Sequence, residues 1–191
     1  YEVYSIDFEG NDHISGSELL LQIVTRETPG FFNKFLYYSI SDRVGRKKEF
    51  FDFTTFNEDV QRLRRYYVDR GFHDVHVDTS LEFSSEENQV DILFTILEGY
   101  QSIVDTIVFK GIIHVPEFVF EDMESSPKIS QHEPFNRALI DDEVLRVRKI
   151  LWDAGYPNAR FLRDSSSATY YSSSRNYVVV ISFDIGKRYL W

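Results

Sequence analysis

The sequence predicts an α+β protein of two tandem β-α-α-β-β modules, each a small three-stranded mixed sheet packed against two helices. The stretch Tyr66–Phe72 recurs as Ile150–Tyr156, and in both copies a helical pattern runs into a Gly followed by an aromatic residue. After each copy the hydrophobic spacing changes towards strand-like alternation. A chain of 191 residues has room for two modules of roughly 80 to 100 residues each.

The first module opens with a strand and a capped helix. Alternation over Val3–Phe8 predicts a half-buried strand whose inner face carries Tyr4, Ile6 and Phe8. Ser15 is the predicted helix N-cap, with Glu18 three residues later as its capping-box partner. We expect this helix to continue to about Thr25.

An aromatic segment, about residues 29–55, follows this helix. It surrounds a basic tip at Arg46–Lys48 and is too long to be a bare loop between two helices. Its rings either pack over the module's own core or form an exposed patch that binds a partner. The candidate partner-binding residues in this segment are Phe31, Phe32, Phe35, Phe50 and Phe51.

The remainder of the first module reads as a helix followed by two strands. Asn57 is the predicted N-cap, with Glu58 and Asp59 placing negative charge in the first turn. The helix ends at Gly71, where Phe72 is expected to fold back on Tyr67. Alternation then predicts a strand over His73–Phe83 and another through Val90–Ile96.

The second module begins with almost no linker, so we assign residues 1–100 and 101–191 to the two domains. Ile107, Phe109 and Gly111 stand 101 positions after Ile6, Phe8 and Gly10. A short helix begins near Pro116 and a longer one at Asn136, which Gly155 ends. A weak strand with two serine triplets and a closing strand over Tyr177–Ile185 complete the pattern.

Composition narrows the class of function. A net charge of −10 disfavours nucleic acid as a partner, because phosphate binding needs a basic surface. With no Cys, disulfides and thiol nucleophiles are excluded. No apolar run approaches the roughly 20 residues of a membrane span. We expect the chain to be an excised piece of a longer protein.

Three motifs, taken in order, resemble the polypeptide-transport-associated (POTRA) repeat. They are a strand ending in Gly-Asn, a helix ending in Asp-x-Gly-aromatic, and a closing Glu-Gly. In the first module they read Ile6–Asn11, Tyr67–Phe72 and Ile96–Gly99, and in the second Ile107–Gly111 and Leu151–Tyr156 match. The second copy departs at its close, where Gly186-Lys187-Arg188 replaces Glu-Gly. The aromatic segment looks like longer variants in BamA-like or TamA-like assembly factors.

The resemblance implies a scaffold on the periplasmic side of the outer membrane, ahead of a β-barrel. Its implied partners are unfolded outer-membrane proteins, accessory assembly subunits, adjacent POTRA modules and the barrel of the parent chain. In such a fold the penultimate strand lies at a sheet edge, where its free backbone groups can pair with an extended guest chain. We therefore predict a partner-binding edge strand that includes Asp74, Val75, His76, Val77, Asp78 and Ser80.

Two rival functions stay open. The chain could be the POTRA region of a two-partner secretion transporter, or a small-ligand or enzyme domain that shares only the layered architecture.

We predict no catalytic residue, cofactor or metal. His73, Asp74, His76 and Asp78 carry ligand types, but a solvent-facing strand explains them better. The carboxylates of Asp141–Glu143 point in different directions on a helix and are interpreted as surface charge.

Overall fold

The computed structural model describes residues 1–28 and 48–189. It divides into two compact units, Tyr1–Val68 with Phe72–Gly99, and Asp69–Gly71 with Tyr100–Trp191. Each unit has its own buried hydrophobic core. Of the predicted aromatic residues, Phe31, Phe32 and Phe35 lie outside the described residues, whereas Phe50 and Phe51 lie within them.

The first unit contains a three-stranded mixed sheet. Its elements are β1 (Glu2–Glu9), α1 (Gly16–Leu20), α2 (Phe53–Val68), β2 (His76–Ser84) and β3 (Gln89–Leu97). The strand order is β1-β3-β2, so the last strand is central. β3 pairs in parallel with β1 and antiparallel with β2. The inward residues of β3, Val90, Ile92, Phe94 and Ile96, are buried beneath the helices.

The second unit repeats this arrangement with one interrupted strand. Its elements are β4 (Val104–Lys110), α3 (Glu117–Glu124), α4 (Arg137–Asp153), β5 (Arg160–Phe161), β6 (Ser167–Tyr171) and β7 (Asn176–Asp184). β7 is central, parallel to β4 and antiparallel to both β5 and β6. The predicted fold class of two small mixed sheets with helices is confirmed.

The interruption lies between β5 and β6. A 3-10 helix, Arg163–Ser165, separates the two short strands, so the second sheet counts four strands where three were predicted. The hydroxyl of Ser182, on β7, donates to the carbonyl of Ser165 at 2.6 Å. The Ser166 hydroxyl accepts from the Ser182 N–H at 2.9 Å. These bonds replace regular pairing at the break.

A β-bulge in the first strand changes one predicted inner residue. The register with β3 shifts between Val3 and Ser5, which places Val3 in the core and leaves Tyr4 61% exposed. The predicted inward position of Tyr4 is therefore wrong. The second unit has the same shift between Val104 and Thr106, so the bulge belongs to both modules.

Two predicted helix boundaries are also wrong. α1 ends at Leu20 rather than near Thr25, because the Val24 and Thr25 N–H groups donate to the Asp59 carboxylate instead of continuing the helix. α2 begins at Phe53 rather than after Asn57. Asp52, not Asn57, caps it by accepting from the Thr55 N–H at 2.7 Å.

Both helix-ending glycines have the predicted conformation. Gly71 and Gly155 have φ of 92° and 93°. The Phe72 N–H donates to the Tyr67 carbonyl, and the two rings meet edge to face with centroids 5.6 Å apart. The predicted contact between Phe72 and Tyr67 is confirmed.

A buried carboxylate occupies the same place in each long helix, the same number of positions before Gly71 and Gly155. Asp59 accepts from Val24, Thr25 and Arg62, and its side chain is fully buried. The interpretation of Glu143 as surface charge is wrong.

Glu143 is instead 2% exposed and accepts from the Lys128 N–H and the Arg146 guanidinium. Each carboxylate therefore fastens the chain that leaves the short helix onto the long one.

Candidate functional site at an open strand edge

β2 forms one edge of the first sheet. Its nine residues pair with β3 from His76, opposite Leu97, to Ser84, opposite Gln89. Within residues 1–28 and 48–189, β2 has backbone ladder partners in β3 alone. Since backbone groups of successive residues point to opposite sides of a strand, every second residue of β2 presents its N–H and C=O to the open edge.

The opposite edge of the same sheet is covered. The Val3 N–H donates to the Glu49 carbonyl at 3.0 Å, and the Thr28 N–H donates to the Val3 carbonyl at 2.8 Å. The Ile6 N–H donates to the Glu27 carboxylate at 2.9 Å. A guest strand would have to displace these bonds at β1. At β2, the outward N–H and C=O groups have no backbone partner among the described residues.

The two faces of β2 differ in character. Val77 and Leu81 are half-buried against the core, whereas His76, Asp78, Ser80 and Glu82 are exposed on the other face. That outer face continues across the sheet as a shallow trough of about 450 Å³ whose lining includes Asp7, Glu9, Glu82 and Asp91. The negative charge beside the edge opposes pairing with acidic segments.

Aromatic rings gather at the carboxyl end of β2. Phe83, the penultimate residue of β2, lies 4.8 Å from the Tyr1 ring and 5.9 Å from the Phe51 ring, between centroids. Phe51 also packs against Phe53 and Phe56. Phe51 is partly buried against the core, whereas Phe50 is 58% exposed. The described part of the aromatic segment thus joins its own core and also presents rings to solvent.

The predicted edge residues separate into two groups. His76, Val77, Asp78 and Ser80 lie on β2. Asp74 and Val75 lie before the strand, and Val75 is buried at 2% exposure, so neither belongs to the edge. The predicted strand His73–Phe83 therefore begins three residues too early, because the turn after Gly71 extends through these positions.

His76 and Asp78 form a surface pair, with Nε2 and Oδ1 3.3 Å apart. In the described part of the chain, no group of three or more His, Cys, Asp or Glu residues is placed to hold a metal ion.

Glu98, the residue after the central strand β3, is a buried hydrogen-bond acceptor. Its carboxylate accepts from the His13 N–H at 3.1 Å and from the Tyr67 hydroxyl at 3.1 Å, and it also pairs with His13 Nδ1. Burial and the adjacent Glu98 carboxylate raise the pKa of Tyr67 well above its usual range. The Tyr67 hydroxyl therefore stays protonated as a donor and ties the end of α2 to the residue that closes β3.

The second unit offers a different surface. Its corresponding edge is divided between β5 and β6, which are two and five residues long. Beside β4 lies an apolar groove of about 810 Å³ lined by Ile107, Phe109, Ile113, Phe120 and Met123, among others. An uninterrupted edge of nine residues is therefore a property of the first unit.

A family model described as "POTRA: Surface antigen variable number repeat" matches residues 1–99, which cover both β1 and the open edge. The chain belongs to the POTRA family. The residues that match include the whole β1-β3-β2 sheet.

Two curated relatives and one solved structure are similar to this POTRA chain. It is 23% identical over 134 residues to the outer membrane protein assembly factor BamA of Buchnera aphidicola, covering 70% of this chain and 21% of that protein. It is 26% identical over 160 residues to a putative outer membrane protein assembly factor of Treponema pallidum, covering 83% and 16%. The chain thus spans about a fifth of the length of these relatives.

The solved structure is POTRA3-5 of Haemophilus influenzae BamA, which has a TM-score of 0.46 and 20% identity. The likeness covers 98% of this chain and 67% of that one. In residues 1–28 and 48–189, no helix combines the length and apolar character needed to cross a membrane.

The predicted site residues do not include three aromatic residues near the end of β2, namely Tyr1, Phe53 and Phe83, although Phe53 lies in the predicted aromatic segment and Phe83 in the predicted edge strand. Comparing the two copies position by position would have shown that Phe51 corresponds to the buried Phe135, since each directly precedes a helix-capping Asp or Asn. That comparison assigns Phe51 to the part of the fold that both units share, although it lies within the predicted aromatic segment.

Proposed function

We propose that this chain is part of the periplasmic region of an outer-membrane protein assembly or transport factor, where it works as a non-enzymatic scaffold. The POTRA family assignment supports this proposal, as do the names of the two curated relatives. Its partners are then unfolded outer-membrane proteins and accessory subunits.

The observation that carries the mechanism is the open edge of β2. An extended client segment adds as a further strand, antiparallel or parallel to His76–Ser84, and satisfies the outward N–H and C=O groups. Main-chain hydrogen bonds supply sequence-tolerant affinity, which suits a scaffold that receives many different unfolded chains.

Side chains beside the edge supply selectivity. The exposed ring of Phe83 and its neighbour Tyr1 favour an aromatic residue at one end of the client segment. Asp78 and Glu82 on the outer face disfavour acidic segments and discourage edge-to-edge association of two copies. Client segments of outer-membrane strands, rich in alternating apolar and aromatic residues, fit these requirements.

A proline scan tests the edge mechanism. Thr79→Pro and Ser80→Pro remove N–H groups that point to opposite sides of β2, so one variant loses an edge donor and the other a bond to β3. The variant that loses the edge donor keeps all of its bonds to β3, so its urea unfolding midpoint should stay close to that of the parent. This property identifies it. It should bind a labelled β-prone peptide about five- to tenfold more weakly, as expected for one lost main-chain hydrogen bond of about 1–1.4 kcal/mol.

The matched control is the same pair of substitutions in β6, Ala168→Pro and Thr169→Pro. The variant of this pair that keeps its stability should bind the peptide as tightly as the parent. Unchanged affinity in the β2 edge variant, or an equal loss in the β6 variant, would contradict the mechanism.

A further inference from the structure

Two large apolar side chains lie exposed on one face of α4. Leu145 and Trp152 are 54% and 48% exposed. They stand seven residues apart, which is about two turns of a helix, so both project from the same side. The Arg148 guanidinium lies 5.2 Å from the centroid of the Trp152 ring. The residues of α4 that pack into the core lie on another side and are Val144, Val147 and Leu151.

The corresponding helix of the first unit lacks these apolar residues. Counting back from Gly71 and Gly155, Leu145 corresponds to Gln61 and Trp152 to Val68. Gln61 is exposed on α2. The shared fold therefore does not require a large apolar residue at the position of Leu145, and contact with another molecule accounts for it better.

Charged side chains flank Leu145 in two separate halves. Asp141 and Asp142 lie four and three residues before it, and Arg148 and Lys149 lie three and four residues after it. Residues at these spacings are neighbours on a helix surface. This face of α4 is therefore acidic towards its amino-terminal end and basic towards its carboxyl-terminal end.

Most of these charges can change partners at little cost. In the described part of the chain, Asp141 and Asp142 have no ion-pair partner. Lys149 Nζ lies 2.6 Å from Asp153 Oδ2, but the two side chains are 73% and 66% exposed. An exposed pair of this kind contributes little to stability, so an approaching carboxylate competes with it readily.

Two copies of this face complement each other when their helices run antiparallel. If Leu145 lies on the two-fold axis, Asp141 of each copy lies opposite Lys149 of the other, and Asp142 lies opposite Arg148. Each copy then presents the same patch to its partner, as a two-fold interface requires. A parallel arrangement would instead place like charges opposite each other, which is unfavourable.

The same register accommodates the Trp152 ring. Trp152 lies seven residues after Leu145, and Ala138 lies seven residues before it, so these two residues are opposite each other in the antiparallel pair. Ala138 is exposed, and its small side chain leaves room for the indole ring. Packing of large against small side chains allows the two helices to approach to the usual 8–10 Å or so.

We propose that α4 is a self-association surface, on which a second copy of this chain packs its own α4 antiparallel in the register centred on Leu145. The helix has 17 residues and is about 25 Å long. One such helix pair buries less area than a standard interface, so the association is weak and reversible. This proposal goes beyond client binding and does not depend on it.

Sedimentation of the chain over a range of concentrations tests the proposal. Leu145→Gln introduces the residue that α2 has and should weaken the dimer at least about tenfold, because each copy loses one apolar contact. Gln61→Leu, the reverse change on α2, is the matched control and should leave the dissociation constant unchanged. Equal dissociation constants for the parent and Leu145→Gln would overturn the proposal. A parent chain that stays monomeric up to about 1 mM would also overturn it and leave this face to a helix of a different protein.

Charge exchange tests the antiparallel register. An acidic variant carries Arg148→Glu with Lys149→Glu, and a basic variant carries Asp141→Lys with Asp142→Lys. Each alone should dimerise at least about tenfold more weakly than the parent, because like charges lie opposite each other. An equimolar mixture of the two should associate at least as tightly as the parent, since every facing pair is then of opposite charge. A mixture that stays monomeric would overturn the proposal.

The matched control places the same charges on α2. Its acidic variant is Arg64→Glu with Arg65→Glu, and its basic variant is Asn57→Lys with Glu58→Lys. Both keep α4 intact and should dimerise as the parent does, whether alone or mixed. An equal loss of self-association in these variants would assign the effect to net charge and overturn the proposal.

Discussion

The two units share a framework and differ at their penultimate strands. Both have the β-bulge in the first strand, the buried carboxylate in the long helix and the glycine that ends it. The first unit follows that glycine with a continuous strand of nine residues, whereas the second divides the same edge into β5 and β6. The duplicated features therefore belong to the shared fold, and the undivided edge strand is particular to the first unit.

The two units also differ in the residue that follows the central strand, which is Glu98 in the first unit and Ile185 in the second. Glu98 ends the first module with bonds to His13 and Tyr67, whereas Ile185 precedes the matching glycine of the second and packs against its apolar core. A polar clamp thus fastens the end of β3 in the unit with the open edge.

The largest expected effect comes from the shared buried carboxylates. Asp59→Ala leaves the Val24 and Thr25 N–H groups and Arg62 without their acceptor, and should destabilise the first unit by about 3–5 kcal/mol. Glu143→Ala should cost the second unit about 2–3 kcal/mol, since the Lys128 N–H loses its acceptor while Arg146 keeps its bonds to the Asp122 and Met123 carbonyls. Urea titration followed by NMR resolves the two units.

Each substitution should act on its own unit. If Asp59→Ala lowers the urea midpoint of both units equally, or of neither, the carboxylates do not fasten separate cores as described.

A smaller effect is expected at the Glu98 clamp. Glu98→Ile gives the first module the residue of the second, but leaves the His13 N–H and the Tyr67 hydroxyl without an acceptor. The loss should be about 1–3 kcal/mol by urea unfolding of the first unit. Tyr67→Phe combined with Glu98→Ile should recover part of this loss, because one orphaned donor is removed. A double variant no more stable than Glu98→Ile would contradict the assigned bond.

A still smaller loss of stability in the first unit is expected when the pH is lowered. Burial raises the pKa of Asp59, but hydrogen bonds from Thr25, Val24 and Arg62 outweigh it and hold that pKa below its usual range. The resulting stability is fully present above the unfolded-state pKa of about 3.9 and is lost as pH falls through the lower folded-state pKa. Urea midpoints of the first unit should therefore fall below about pH 4.

Asp59→Asn is the control for this titration. The variant should be less stable at neutral pH and should lose less between pH 4 and pH 2 than the parent. An identical acid profile in the two proteins would assign the titration to other groups.

Much of the fold could be predicted because its signals are local. The glycines after each long helix, the Ser15 cap and the alternation of β3 are all readable from a few neighbouring residues. The boundary at Phe53 was missed because Thr54 and Thr55 are weak helix formers, and packing of Phe56 against the core overrides that preference.

The candidate site was only partly predictable, because its geometry comes from tertiary contacts. Asp59 and Glu143 look like surface charge until the chain that leaves the short helix is seen to bond to them. Val75 continues the alternating pattern of β2 but is buried by the turn after Gly71. The openness of the edge itself depends on strand order, which the alternating pattern does not specify.

The central claim is that β2 of the first unit, and not the divided edge of the second, receives extended chains. Titration of the ¹⁵N-labelled chain with an unlabelled β-prone peptide tests this most directly. The account predicts shifts and slowed exchange for alternate amides of His76–Ser84, with β5 and β6 unchanged. Shifts confined to Arg160–Tyr171 or to the groove beside β4, with β2 unmoved, would contradict it.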